Sequence, residues 1–270
     1  MTWRNSLLRP FFEVSCIILL GGCNNFPSPV GQKPSKDTIY IPSAFSNEFN
    51  FIEERDARRN ELFSLLRPLV YRIEVSIPLL YRTERYQGTG WGWAKRYIWT
   101  CKHLLPAEKN LRVEVWDMEG SCHEAKVVWR DSIADVALLR IDTICDFPSV
   151  SLHSGSFPKV GESVFTVGAP LGLLGTFQEG FVAAEPRLMN VGKNYSQVLL
   201  QLSIPAQVGS SGSPVVDKQG RVIGMISDIA TISGGYEGIS FAIPAQVLSQ
   251  VWEAYCNFAS NDSERACKSR

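Results

Sequence analysis

The sequence has no excess of either charge, since 27 Lys and Arg residues are balanced by 27 Asp and Glu residues in a chain of 270. Proteins that bind nucleic acid usually carry a basic patch, so this balance argues against a nucleic-acid partner. The seven cysteines also lack the C-x-x-C spacing of zinc and dithiol redox sites. We therefore expect no metal and no cofactor. With 45% apolar and 20% charged residues, the composition is that of a folded globular protein.

A long hydrophobic run is also missing. The apolar stretch near the start, residues 11–20, is interrupted by Glu13 and is shorter than the ~20 residues that a membrane-spanning helix needs. Arg4 and Arg9 precede it and small residues follow it, which is the pattern of a secretory signal peptide over residues 1–22. The sequence L-G-G-C ending at Cys23 resembles the lipobox of bacterial lipoproteins.

This resemblance implies lipidation of Cys23 and an exported, membrane-anchored protein that faces the periplasm or the cell surface. A single acyl chain binds a membrane only weakly, so stable anchoring requires more than one. The alternative is a plain signal peptide with a cysteine at this position by chance. Under the lipoprotein interpretation, residues 23–45 are a lipidated N-terminus and a proline-rich tether.

The segment 46–68 is predicted to be an N-terminal helix, because charged residues in its middle are followed by clustered leucines and Pro68 ends it. Beyond it, residues 69–259 read as one domain. A second amphipathic helix is expected over 244–258, and a flexible tail over 260–270.

Between the two helices the sequence consists of short apolar or alternating runs separated by turn residues. This texture predicts an all-β barrel or sandwich rather than βαβ units. Two similar β-halves are the only internal repeat in view. The runs are 70–77, 88–94, 97–100, 111–116, 125–129, 136–141, 163–167, 181–184, 197–202, 213–216, 221–226 and 239–242.

Three residues in these runs suggest chemistry. His103 follows a strand, Asp135 directly precedes an apolar strand, and Ser211 lies in a turn rich in glycine and serine. Each has an ordinary explanation by itself, as a surface histidine, a turn aspartate and a loop serine. Their order along the chain and their local contexts together favour a His-Asp-Ser catalytic triad.

Six segments carry a resemblance to a known family. The segments are G-T-G-W-G at 88–92, T-C-K-H-L-L at 100–105, A-D-V-A-L-L at 134–139, V-G-A-P-L-G at 167–172, G-S-S-G-S-P at 209–214 and G-I-S-F-A-I-P at 238–244. With these segments, the chain resembles the trypsin-like serine proteases of the HtrA/Deg type over roughly residues 69–250. The resemblance implies an all-β chymotrypsin-like fold with two six-stranded barrels and serine endopeptidase activity.

In the family's mechanism, Ser211 is the nucleophile, His103 the general base and Asp135 the group that orients the histidine. The backbone N–H groups of Gly209 and Ser211 would form the oxyanion hole. Ser213 replaces the family's second glycine and is a departure from the motif.

Other interpretations of these motifs are weaker. Ser210, Ser213 and Asp131 are the rivals within the triad segments. The serine segment is not G-x-S-x-G, which disfavours an α/β-hydrolase. The glycines at 88–92 lack the G-K-[ST] of a phosphate-binding loop.

Four residues are expected to line the substrate pocket: Ala206, Val208, Ile226 and Ile239. Because they are small or aliphatic, we expect cleavage after small or aliphatic residues in unfolded or flexible polypeptides. Two rival functions remain open at this point, a protein-binding module without catalysis and a hydrolase of non-protein esters.

Family members commonly carry a PDZ domain and form trimers. The segment after Pro244 predicts no PDZ domain here, and oligomerisation is left open. Export permits disulfide bonds, and Cys101 with Cys122 and Cys256 with Cys267 are candidate pairs, with reduced cysteines as the alternative.

Overall fold

The computed structural model describes residues 43–108, 110–143, 147–190, 196–229 and 238–261. The predictions for the signal peptide, Cys23 and the tether lie outside these residues, as does the tail from 262 onward. The compact unit that carries the fold is Asn47–Arg270. None of the helices in the described ranges is long and apolar enough to cross a membrane.

The described residues form twelve strands in two closed barrels, with one helix before them and one after them. The predicted all-β double barrel is confirmed, and each of the twelve apolar runs overlaps one strand. The strands are β1 Val70–Pro78, β2 Thr83–Trp93, β3 Tyr97–Thr100, β4 Arg112–Trp116, β5 Cys122–Arg130, β6 Ala137–Ile141, β7 Ser163–Gly168, β8 Thr176–Asn190, β9 Ser196–Leu202, β10 Pro214–Asp217, β11 Val222–Ile229 and β12 Ser240–Pro244.

The N-terminal barrel closes in the order β1-β2-β3-β6-β5-β4 with antiparallel neighbours. Its interior is filled by the residues that alternate along each strand, such as Ile73, Val75 and Ile77 on β1. Side chains on successive positions point to opposite faces of a strand, so this alternation is what a barrel with one buried face requires.

The C-terminal barrel closes as β10-β11-β12-β9-β8-β7, which is the same strand order shifted by six strands. This repetition agrees with the two similar β-halves seen in the sequence. Its interior holds aliphatic side chains from all six strands, including Val164, Val182, Leu200, Val215 and Ile223.

A third apolar cluster joins the two barrels and both helices. Trp91 and Trp99 of the N-terminal barrel are fully buried in it, with ring centroids 6.0 Å apart. Trp252 of the second helix packs on Tyr97 with a centroid distance of 5.3 Å. Because both barrels contribute to one core, their relative position is held by buried apolar surface.

The two helices have slightly different bounds from those predicted. Helix α1 spans Ser43–Leu66, followed by a 3-10 turn at Arg67–Leu69, and helix α2 spans Ala245–Asn261. The predicted start of the flexible tail at 260 is therefore too early, since α2 includes two of those residues. On α1, Arg59 forms an ion pair with Glu179 of β8, which attaches the helix to the C-terminal barrel.

The proposed disulfide between Cys101 and Cys122 is wrong, because both thiols are free. Cys122 begins β5 and pairs in register with Trp116, whereas Cys101 follows β3, whose neighbours are β2 and β6. Barrel topology thus keeps the two apart. Cys256 is disulfide-bonded, and position 267 lies outside the described residues.

Candidate active site

The three residues of the predicted triad line one cleft of about 740 Å³. His103 lies in a 3-10 turn directly after β3, and Asp135 lies just before β6, so the N-terminal barrel supplies both. Ser211 lies in the turn between β9 and β10 of the C-terminal barrel. The cleft therefore brings together residues from both halves of the fold.

Asp135 holds the histidine through two hydrogen bonds. His103 Nδ1 lies 2.7 Å from Asp135 Oδ2, and the backbone N–H of His103 donates to Oδ1 at 2.8 Å. A carboxylate accepts only, so the contact at Nδ1 places the imidazole proton there. Nε2 is then the nitrogen that takes up a proton from a nucleophile.

Ser227 is a further member of this arrangement that sequence reasoning missed. Its hydroxyl on β11 donates to Asp135 Oδ2 at 2.7 Å, across 92 positions of sequence. The only local signal was that Ser227 and Asp228 are the polar residues of an apolar strand, and this pattern does not point to Asp135. Only barrel closure places it against the carboxylate.

The pKa of Asp135 is lowered by these contacts. Burial alone raises the pKa of a carboxyl, and Asp135 is largely buried, but the hydrogen bonds from His103 and Ser227 outweigh it. Asp135 is therefore a carboxylate throughout the neutral range, which is the charge state that stabilises an imidazolium at His103.

The rival residues have other roles in the structure. Asp131 Oδ1 accepts the backbone N–H groups of Ile133 and Ala134, at 2.9 Å and 2.7 Å, so it caps the loop. Ser210 and Ser213 are 3% and 1% exposed, whereas Ser211 is partly exposed. The Ser211 hydroxyl makes a long hydrogen bond of 3.3 Å to the carbonyl of Ser227.

The turn that leads to Ser211 contains two backbone N–H groups whose direction is set by neighbouring hydrogen bonds. Leu171 N–H donates to the carbonyl of Val208 at 2.7 Å, and Ser213 N–H donates to that of Ser210 at 3.0 Å. In a planar trans peptide the N–H points away from the C=O, so these anchors set the direction of the N–H groups of Gly209 and Ser211. Within the described residues, neither N–H has a protein acceptor. Such a pair matches an oxyanion hole.

Glycine is required at position 209. Its φ is +96°, and a Cβ there would lie 2.5 Å from the carbonyl oxygen of Ala169. The departure at Ser213 is accommodated by another glycine, because the Ser213 hydroxyl occupies the space that a Cβ on Gly168 would need. The serine therefore fits the turn, with its Oγ buried and unpaired among the described residues.

The sequence matches a known protein family. A model of the family described as "Trypsin-like peptidase domain" matches residues 88–225, a range that includes the three predicted triad positions and Gly209. The chain belongs to the trypsin-like peptidase family.

Curated relatives of this peptidase are similar in sequence. It is 34% identical over 175 residues to "Probable periplasmic serine endoprotease DegP-like" of Ectopseudomonas mendocina (strain ymp), covering 64% of this chain and 36% of the relative. It is 36% identical over 156 residues to a protein of the same name from Pseudomonas fulva (strain 12-X), covering 57% and 31%. The chain thus spans about a third of the length of these relatives.

The fold is shared with solved peptidases. The "HtrA-type protease AlgW with tripeptide" superposes with a TM-score of 0.65 at 25% identity, over 74% of this chain and 64% of the other. This likeness agrees with the double barrel described above.

The pocket of this trypsin-like peptidase differs in part from the expectation. Val208 and Ile226 line the cleft, but Ala206 is fully buried in the C-terminal barrel core and Ile239 packs against the shared apolar cluster. Strand residues that sequence reasoning missed contribute to the lining instead: Met189, Leu199 and Phe241. They come from three different strands, so no local pattern marked them.

One cysteine lies beside His103 and Asp135. Cys101 Sγ, His103 and Asp135 present atoms within 4.8 Å of one another, the kind of set that can hold a metal. The Cys101 thiol donates to the carbonyl of Ile226 at 3.2 Å, and burial raises its pKa well above the usual value. Each of the three groups is thus engaged in hydrogen bonding within the triad region, and we assign the cluster to that region rather than to a metal site.

Proposed function

We propose that this chain is a serine endopeptidase that uses His103, Asp135 and Ser211. The observation that carries the proposal is the 2.7 Å hydrogen bond between His103 and Asp135 in a cleft that also holds Ser211. The N–H groups of Gly209 and Ser211, which have no acceptor among the described residues, support it, because acyl transfer needs free donors for a developing oxyanion.

In the proposed mechanism, Ser211 Oγ attacks a peptide carbonyl while His103 Nε2 takes its proton. The weak 3.3 Å bond to Ser227 is released at this step. Asp135 stabilises the imidazolium, which then donates its proton to the leaving amine. Water then attacks the acyl-enzyme while His103 Nε2 takes its proton, and the imidazolium returns this proton to Ser211 Oγ as the acid product leaves.

Labelling with a fluorophosphonate probe tests the nucleophile. We expect labelling of the wild type and none of Ser211→Ala. Ser213→Ala is a matched control, because it removes a nearby serine hydroxyl that has no partner among the described residues. Labelling that survives Ser211→Ala contradicts the assignment.

Casein digestion then separates the rival functions. Digestion by the wild type and its loss in Ser211→Ala support an endopeptidase. Ser211-dependent labelling with cleavage of esters only would indicate a non-protein hydrolase. Absence of labelling in folded wild-type protein would favour the binding-module alternative.

The substrates we propose are unfolded or flexible polypeptide segments, cleaved after small or aliphatic residues. The cleft has an apolar lining that includes Met189, Leu199, Val208, Ile226 and Phe241. Among the described residues, Asp135 is the only carboxylate that lines it. A matched set of chromogenic peptides that differ only in the residue before the scissile bond tests this. Ala or Val should exceed Arg and Lys in kcat/KM, and preference for Arg would contradict the proposal.

We also propose that residues 1–22 are a signal peptide and that Cys23 carries a lipid anchor. The relatives' names describe periplasmic proteins, which agrees with export. Metabolic labelling with a radioactive fatty acid should mark the wild type and not Cys23→Ser. Cys16→Ser is the control, since that cysteine lies inside the apolar run. Secretion without label would instead support a plain signal peptide.

A further inference from the structure

We propose that Thr89 is a positioning residue whose hydroxyl holds the oxyanion hole in its active shape; this rests on the proposed endopeptidase function. Thr89 lies on β2 of the N-terminal barrel and is fully buried. It does not line the cleft. Its polar groups nevertheless reach the nucleophile turn of the other barrel.

The hydroxyl of Thr89 makes two hydrogen bonds at once. It donates to the carbonyl of Gly209 at 2.7 Å and accepts the backbone N–H of Ala169 at 2.9 Å. Its own N–H donates to the carbonyl of Ser211 at 2.8 Å. One residue therefore contacts both sides of the turn that carries the nucleophile.

These contacts complete the anchoring of four successive carbonyls. The carbonyls of residues 208 and 210 are held by Leu171 and Ser213, while those of Gly209 and Ser211 are held by Thr89. The Gly209–Ser210 peptide joins the two peptides whose N–H groups have no acceptor among the described residues. Holding its carbonyl therefore fixes the relative orientation of the two donors.

The bond to Ala169 extends this anchoring. Ala169 lies two residues before Leu171, the residue that holds the carbonyl of Val208. The Thr89 hydroxyl thus holds the Gly209–Ser210 peptide directly. Through Ala169 it also stabilises the segment 169–171, which orients the Val208–Gly209 peptide.

Loss of the hydroxyl would leave the carbonyl of Gly209 and the N–H of Ala169 buried without partners. Unpaired buried groups are unfavourable, so the turn would rearrange to recover hydrogen bonds. Gly209 has a φ of +96° and no side chain, which makes it the residue most able to change conformation. The donors would then lose their alignment with an oxyanion, while the substrate pocket keeps its lining.

The decisive variants are Thr89→Val, which removes the hydroxyl with little change in shape, and Thr89→Ser, which keeps it. Thr100→Val is the matched control. The Thr100 hydroxyl is equally buried and donates to the carbonyl of Thr89 at 2.8 Å, but it makes no hydrogen bond to the nucleophile turn. All rates are measured per folded molecule with a chromogenic peptide.

We expect Thr89→Val to lower kcat about 10- to 100-fold with KM within about twofold, since only transition-state binding is lost. Binding of a peptide aldehyde, which forms a tetrahedral adduct, should weaken by the same factor as kcat/KM. Thr89→Ser and Thr100→Val should stay within about threefold of wild type. The pH profile should keep its midpoint, because His103 and Asp135 are untouched.

Equal kcat in wild type and Thr89→Val would overturn the inference, as would equal losses in Thr89→Val and Thr89→Ser. Should Thr89→Val not unfold cooperatively, Thr89→Ala replaces it, and failure of both to fold would assign Thr89 to stability instead. These outcomes differ from failure of the proposed function, in which the wild type itself has no Ser211-dependent activity.

Discussion

The two barrels hold their parts of the site by different means. The N-terminal barrel supplies His103 and Asp135, whose side chains bond to each other directly at 2.7 Å. The C-terminal barrel supplies Ser211 and Gly209, whose backbone N–H groups can bind an oxyanion only if their peptides are correctly oriented. The acid–base pair is thus held by a direct side-chain contact, whereas the proposed oxyanion hole depends on peptide orientation that other segments must hold.

The difference predicts which changes are most harmful. Removing a reacting side chain removes a step of the reaction, whereas weakening an anchor only misaligns a group that remains present. The largest losses are therefore expected at the reacting groups and the smallest at a contact remote from the cleft.

Ser211→Ala is expected to have the largest effect. Without the attacking hydroxyl, kcat should fall by about 10⁶-fold, leaving only the residual rate due to binding and oxyanion stabilisation. Measurement with a chromogenic peptide and active-site titration checks this. A loss of less than about 100-fold would mean that another group attacks the substrate.

Asp135→Asn should reduce kcat by about 10⁴-fold, since an amide stabilises the wrong histidine tautomer and no imidazolium. The N-terminal barrel should remain folded because the substituted side chain has the same shape. Circular dichroism and the kinetic measurement together check this. Near-normal kcat in the folded variant would exclude Asp135 from the triad.

Ser227→Ala removes one donor from the Asp135 carboxylate, at 2.7 Å in the wild type. The pKa of Asp135 should rise from its lowered value, and kcat should fall by about 10-fold or less. His103 still holds the carboxylate, so the loss is smaller than for Asp135→Asn. Ser240→Ala is the kinetic control, because Ser240 does not line the cleft and its hydroxyl donates to the carbonyl of Ile204.

The same pKa shift gives a stability prediction. A carboxyl with a lowered folded pKa stabilises the fold above its unfolded pKa of about 3.9, and this contribution is lost as the pH falls through the folded value. Because Ser227→Ala raises the folded pKa of Asp135 toward its unfolded value, the acid-dependent loss of unfolding free energy should be smaller in the variant and should end at a higher pH than in the wild type. Identical pH dependence of chemical unfolding in the two proteins would contradict the shift.

Arg59→Ala should have the smallest effect. It breaks the partly exposed ion pair between α1 and Glu179, so the free energy of unfolding should fall by about 1 kcal/mol or less and kcat should not change. Denaturant titration measures the first and peptide hydrolysis the second. A marked loss of activity would show that α1 acts on the site through β8.

Much of this molecule was predictable from local patterns. The short apolar or alternating runs predicted every strand in the described residues, because each of these strands buries at least one face in a barrel. The segments around His103, Asp135 and Ser211 predicted that the three would share one cleft, and they do. These inferences succeeded since each motif is contiguous in sequence.

The errors and omissions concern contacts between distant segments. Ala206 was expected in the pocket but lies in the barrel core, and Cys101 was expected to pair with Cys122 but is buried beside Ile226. Ser227 and Phe241 reach the cleft only because their strands close the barrel. Such contacts join residues far apart in the chain, so no local sequence pattern predicts them.

By itself, then, the sequence determined the twelve strands, the order of the three residues proposed as a triad and the family to which their motifs belong. The tertiary structure alone decided which hydrogen bonds orient them. The bond between Thr89 and Gly209 joins residues 120 positions apart, and the bond between Ser227 and Asp135 joins residues 92 apart. The physical reason is that strand formation depends on local periodicity, whereas these bonds depend on how two closed barrels pack against one another.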